Sequence, residues 1–215
     1  NLTNEYHQSS AISFGPGFGY LTVGYFDAPR TFGIDLHYSL NCTQMPDHFI
    51  EMWKNFRRVR LQLSIDDLRE RNYYVRFPSD WDTIMKSYRK ILQYRNTFKL
   101  EVCQTVSALN VFNIDNFKKW TLDDNMIVSH NYVHYPDHLH VSLIPEEMKH
   151  YILDNIQYMR EDEIQRLKIE LFRKHTEKDI KRFHSFIRLN DRGRKVKIND
   201  YLPEFDGVIE SNEWI

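Results

Sequence analysis

Apolar and polar residues alternate strictly in three short stretches of the chain, and helical spacing follows each of them. In Ile34–Asn41 (IDLHYSLN), Ile34, Leu36, Tyr38 and Leu40 share one face and Asp35, His37, Ser39 and Asn41 the other. In RVRLQLS, Val59, Leu61 and Leu63 oppose Arg58, Arg60, Gln62 and Ser64. In FKLEVCQTVS, Leu100, Val102 and Gln104 oppose Lys99, Glu101, Cys103 and Thr105. A period of two predicts a strand at each place. Between them, PDHFIEMWKNF carries Phe49, Met52, Trp53 and Phe56 at helical spacing, with Pro46 suited to a first turn. SDWDTIMKSYRKILQYR places Trp81, Ile84, Met85, Tyr88, Ile91 and Leu92 on one helical face, and Ser79 with Asp82 reads as a capping box. IDNFKKW, from Ile114, is a further short helix. Strand, helix, strand, helix, strand, helix predicts parallel strands joined by crossover helices.

The pattern continues more loosely. NMIVSHNYV and HLHVSLI read as two more short strands, Pro145 opens a helix in PEEMKHYILDNIQYM, and helical segments follow near 161–173 and 177–188. Residues 1–33 hold Gly15, Gly17, Gly19, Gly24 and Gly33 and read as loop with one short strand near Tyr20–Phe26. The predicted organisation is an atypical segment over 1–33, a partial (β/α) barrel over 34–144, and a helical region with an acidic tail over 145–215. The α/β barrel is preferred because each strand has one polar face. Strands covered by helices on both sides read as continuous apolar runs. An antiparallel sheet with one wet face gives the same alternation, and the intervening helices count against it. Barrels place ligands at the C-terminal strand ends, which brings forward Ser39, Asn41, Ser64, Asp66, Thr105 and Ser107.

Composition narrows the class. The chain has 215 residues, 41% hydrophobic and 14% aromatic, which fits one folded domain with at most a small appendage. A formal net charge of −1 gives no footprint for nucleic acid or an anionic membrane, so neither partner is expected. No apolar run reaches the roughly 18 residues of a membrane helix, and no signal-peptide pattern opens the chain. The two cysteines, Cys42 and Cys103, are too few for a disulfide framework, and reduced thiols in the cytoplasm are expected. The chain opens on Asn1 rather than Met, which raises the expectation of an upstream segment.

Within this frame VRLQLSIDDLRERNYYVRFPSDW (Val59–Trp81) resembles a recurrent pattern, "v-x-lSiDg-x-x-x-r-x-x-YiRy-x-x-dW", of twitch-domain-containing radical S-adenosylmethionine proteins. The matches are Ser64, Ile65, Asp66, Tyr74, Arg76 and Trp81. SLNCT (Ser39–Thr43) is similar to the turn that ends the family's preceding strand. Thr105, Val106, Ser107 and Asn110 match its next strand. NYVHYPDHLHVSLIPEEMK and NDRGRKVKINDYLPEF resemble two later segments, so the likeness runs from Ile34 to Phe205. It implies a C-terminal half of a radical enzyme that cleaves S-adenosylmethionine reductively and abstracts hydrogen from a small-molecule or peptide substrate. It implies cofactor contacts from Ser64 and Arg76, toward the carboxylate and ribose, with Asp66, Asn41, Thr105 and Asn110 in the same cleft. The family's [4Fe–4S] cluster needs the thiolates of a C-x-x-x-C-x-x-C loop, which this sequence lacks, as it lacks a Gly-Gly-Glu motif. The expectation is therefore a truncated form, inactive alone. The alternative is a non-catalytic ligand- or protein-binding α/β module, and a homo-oligomer would cover barrel edges exposed by truncation.

Other groups have plainer readings. Asp66 and Asp67 suit a turn that accepts backbone N–H groups. His130, His134, His138 and His140 form a histidine-rich run, but Pro136 interrupts any helix that would align them, and no metal site is expected. RLNDRGRKVK (Arg188–Lys197) reads as a solvated basic turn.

Overall fold

The computed structural model describes residues 7–13, 22–27 and 34–208. Six strands form one sheet in chain order: β1 (His7–Ser13), β2 (Thr22–Asp27), β3 (Ile34–Leu40), β4 (Arg58–Ser64), β5 (Lys99–Val106) and β6 (Ile127–Tyr132). The helices are α1 (Asp47–Trp53), α2 (Arg69–Val75), α3 (Trp81–Leu92), α4 (Ile114–Asp123), α5 (Glu146–Asp154), α6 (Glu161–Leu171), α7 (Glu177–Arg194) and α8 (Ile198–Tyr201). The fold is α/β, and β3–β6 make its four-strand parallel part. β3 pairs with β4 and β4 with β5 in parallel, with Leu61 set between Tyr38 and Leu100. The crossover helices that the pattern predicted are α1, α3 and α4.

Four expectations need correction. First, β1 pairs antiparallel with β2, and β2 antiparallel with β3, so the sheet is mixed. β1 had no strand signal in the glycine-rich segment, and the rest of residues 1–33 lies outside the described residues. Second, HLHVSLI is not a strand but two 3₁₀ turns, Asp137–Leu139 and Val141–Leu143. Its amides are used locally: Leu139 N–H donates to the Pro136 carbonyl (3.0 Å) and Leu143 N–H to that of His140 (3.1 Å). Third, the cap of α3 is Asp80 rather than Ser79, accepting from Thr83 N–H at 2.8 Å. Fourth, most of the basic stretch is helix, because α7 runs to Arg194 and ends at Lys195, whose φ of 56° is left-handed. A left-handed residue at this point is a common way to close a helix.

The chain divides into two compact units: Asn1–Ile65, Ser79–Cys103 and Met126–Ser129 form the first, and Asp66–Pro78, Gln104–Asn125 and His130–Ile215 the second. In the first, Leu36 and Leu40 of β3, Val59, Leu61 and Leu63 of β4 and Leu100 and Val102 of β5 are buried as their alternation predicted, as are Ile50, Trp53, Ile84, Tyr88 and Ile91 from the helices. Burying each such side chain contributes roughly 1.5–3 kcal/mol. The opposite face is also partly closed. Glu101 is buried there because Arg60 and Gln62 both donate to its carboxylate.

The second unit has its own core, in which Val106, Val111 and Ile114 pack with Leu167, Leu171, Phe183, Ile187 and Phe205. α7 enters it through a capping box. Thr176 Oγ1 accepts from Asp179 N–H (3.3 Å), and Asp179 accepts from Thr176 N–H (2.9 Å). Among the described residues, no helix is long and apolar enough to cross a membrane.

Candidate functional site

Ser-Ile-Asp-Asp leaves β4 and turns at once into α2. The turn and the strand end beside it leave backbone donors and acceptors to satisfy, and the sequence meets them with amide side chains. Asn72 Oδ1 accepts from the N–H groups of Asp66 (3.3 Å) and Asp67 (3.1 Å). Asn110 Nδ2 donates to the carbonyls of Asp66 (2.7 Å) and Thr105 (2.9 Å), while its Oδ1 accepts from Ser107 N–H at 2.7 Å. Both asparagines are fully buried.

Gln104 adds a further arm. Its Nε2 donates to the Asp66 carbonyl at 2.8 Å, so its Oε1 is the acceptor facing His130 Nδ1, also at 2.8 Å. His130 therefore carries its proton on Nδ1. Its Nε2 is buried without a protein partner, and burial pushes the imidazole down to about 4.

The two carboxylates go to different places. Asp67 is fully buried and accepts from Leu68 N–H (2.8 Å), Asn113 Nδ2 (2.6 Å) and Arg71 Nε (3.0 Å). Arg71 passes the charge on to Glu204, with Nη1 at 2.9 Å. Burial raises Asp67 to about 6 against the pull of Arg71. Asp66 Oδ1 accepts from Thr105 N–H at 2.8 Å, and its Oδ2 pairs with Arg76 Nη1 at 3.1 Å. Burial raises Asp66 too, opposed by the Arg76 charge.

Asp66 and Thr105 line a cavity of 150 Å³ together with Tyr74, Ser107, Asn190 and Arg194 on the polar side and Val75, Leu109, Val133, Leu139 and Phe186 on the apolar side. Arg194 is fixed there by three contacts. Its Nη1 donates to the Tyr74 carbonyl at 2.8 Å, and its guanidinium lies 5.7 Å from the Tyr74 ring centre and 4.7 Å from that of Phe77. The Tyr74 hydroxyl donates to Asp191 at 2.7 Å. The cavity is lined by the Asp66 carboxylate, which pairs with Arg76, and by the Arg194 guanidinium. A mostly apolar cavity with a few oriented polar groups is the usual form of a small-ligand site.

Of the residues expected to share a cleft, Asp66, Arg76, Thr105 and Asn110 come together in the second unit. Ser64 and Asn41 belong to the first: Ser64 Oγ is 3.1 Å from Ser39 Oγ, and Asn41 Oδ1 closes its own turn by accepting from Thr43 Oγ1 at 2.8 Å. Arg194, Tyr74 and Gln104 went unread as site residues. Arg194 lies in a stretch taken for a solvated turn, and its burial against Tyr74 and Phe77 depends on chain segments far apart in sequence.

The thiols do not fit an iron–sulfur cluster. Cys42 is buried in the loop after β3, with Sγ 4.0 Å from the Leu40 carbonyl, and Cys103 lies within β5. Two such residues do not supply a three-thiolate set. Comparison of the chain with protein-family models, with curated proteins and with solved structures finds no significant match.

Proposed function

We propose that the chain binds a small zwitterionic ligand of the α-amino-acid type in the Asp66–Arg194 cavity, with the methionyl end of S-adenosylmethionine as its leading candidate. The observation that carries this reading is that a buried carboxylate, Asp66, and a guanidinium, Arg194, line one cavity and offer opposite charges to a ligand's ammonium and carboxylate groups. Arginine presents a planar fork that matches a carboxylate in two parallel hydrogen bonds. Asp66 is placed for the ligand's ammonium group, and Val75, Leu139 and Phe186 offer an apolar wall to its side chain.

Asp66, Tyr74, Thr105 and Ser107 of this cavity, with Arg76 paired to Asp66, also carry part of the resemblance to twitch-domain radical S-adenosylmethionine proteins. On this reading the parallel strands β3–β6 are an arc of a (β/α) barrel and the chain works in the cytoplasm. S-adenosylmethionine, when bound, would supply a cleavable sulfonium. The chain's own residues hold its amino-acid end and perform no redox step. The alternative is a binding module whose ligand is a different amino acid or the terminus of a peptide.

Isothermal titration of the full chain with S-adenosylmethionine and, separately, with methionine and alanine tests this. Saturable binding of S-adenosylmethionine and methionine, weakened about tenfold or more in Arg194→Ala by loss of a charge-assisted bond, is the expected result. Binding of alanine alone would point to the module reading. No heat from any of them at millimolar concentration would overturn the proposal.

A further inference from the structure

The second unit holds another convergence of ligand-type side chains, apart from the Asp66 cavity. His134 follows β6, His140 sits between the two 3₁₀ turns, and Glu170 lies in the last turn of α6. One nitrogen or oxygen from each falls within 4.8 Å of the others. His140 Nε2 is 3.2 Å from Glu170 Oε2, and His134 Nε2 is 3.8 Å from Glu170 Oε1. Four ligands at about 2.1 Å around a tetrahedral ion stand about 3.4 Å apart, and these two distances bracket that edge. We propose that His134, His140 and Glu170 form a binding site for a divalent transition-metal ion of the zinc class. Two imidazoles and one carboxylate are the ligand set of an open zinc site, in which a fourth position takes water or substrate. A cavity of 190 Å³ is lined by His134 and His140, with Asp137, Ser142 and His175 also in its wall, and would receive that fourth position.

The surroundings show how the site would load. A metal-bound histidine donates its other N–H to a fixed acceptor. For His140 that acceptor is Ser142 Oγ, 2.9 Å from Nδ1. In the metal-free arrangement the same Nδ1 accepts from Ser142 N–H at 3.2 Å, so its proton sits on Nε2 and faces Glu170. Loading shifts the proton from Nε2 to Nδ1, and the hydroxyl takes over as partner.

His134 is held by a different group. Arg173 Nη1 lies 2.9 Å from His134 Nδ1, and a guanidinium only donates. Arg173 therefore keeps the His134 proton on Nε2, where a metal would bind, and acts as a resident competing cation. It is exposed, so it is free to swing away when an ion arrives.

The test uses the full chain stripped with a chelator and then titrated with Zn²⁺ by calorimetry and with Co²⁺ by visible absorption. One equivalent of each ion is expected to bind, with cobalt showing the intense bands of four-coordination. His134→Ala, whose side chain is 54% exposed and peripheral to folding, and Glu170→Gln, which keeps its shape, should each weaken binding by about tenfold or more. Arg173→Ala should tighten it several-fold, which a purely structural hydrogen-bond cluster would not show. Substoichiometric binding, or the same affinity in His134→Ala and Glu170→Gln, would overturn the site. An unchanged affinity in Arg173→Ala would remove the competing-cation geometry on which the loading of His134 rests.

Discussion

The Asp66–Asp67 turn and the His134–His140–Glu170 cluster both gather carboxylates and nitrogen donors within one unit, yet they are built in opposite ways. In the turn the partners are mostly amides: Asn72, Gln104, Asn110 and Asn113 supply bonds from side chains that do not themselves titrate. Its groups are buried, and each arm of Asp67 is answered. In the cluster the partners are imidazoles and an exposed guanidinium, whose protons and positions are free to change. The difference separates framework from site. Saturated buried amides fix the backbone after β4, and from that fixed turn the Asp66 carboxylate faces a cavity. Half-open clusters of groups that change state are where a second ligand would enter.

Breaking the framework side of the comparison should produce the largest effect. Asn110→Ala removes the side-chain partner of the Thr105 carbonyl and of the Ser107 N–H and leaves the Asp66 carbonyl to Gln104 alone. It should cost roughly 3 kcal/mol or more of unfolding free energy, read by urea denaturation.

Acidification probes the same network through His130. Its folded value of about 4 lies below the ordinary value of about 6.5, so between these the unfolded chain binds the extra proton. This part of the stability is present above about 6.5 and is lost as pH falls toward about 4, roughly 3 kcal/mol in all. Asp67 works in the opposite sense, because its raised value favours the folded chain as it protonates. The clean readout is therefore the difference between wild type and His130→Gln, which should shrink or reverse toward low pH.

Smaller effects sharpen the contrast. Thr176→Ala removes the α7 cap and should lower stability by about 1 kcal/mol in thermal denaturation. His134→Ala, in the half-open cluster, should change stability by no more than about 0.5 kcal/mol in the absence of metal. A loss as large as that of Asn110→Ala would erase the distinction between the two regions.

Much of the framework was readable in the chain. Val59, Leu61 and Leu63 alternate with polar residues, and all three are buried in β4. The apolar face of α3 buries Ile84, Tyr88 and Ile91 as its spacing predicts. Alternation failed where two geometries share it: in His138–Ile144 the same rhythm serves a pair of 3₁₀ turns, and only the use of the amides tells them apart. α2 was missed because its seven residues, RERNYYV, show too little periodicity. The turn at Asp66 and Asp67 was legible as a turn, and the grouping of Asp66, Arg76, Thr105 and Asn110 follows from the order of strand ends. The parts played by Asn72, Gln104 and Arg194 were not, since each depends on which distant backbone group comes within reach.

The most direct test of the account is a ¹H–¹⁵N NMR titration of the full chain with S-adenosylmethionine. The account predicts saturable shifts concentrated at the backbone amides of Thr105 and Ser107 and at the side-chain signals of Arg76 and Arg194. Shifts absent at millimolar ligand, or gathered elsewhere while these signals stay still, would contradict it.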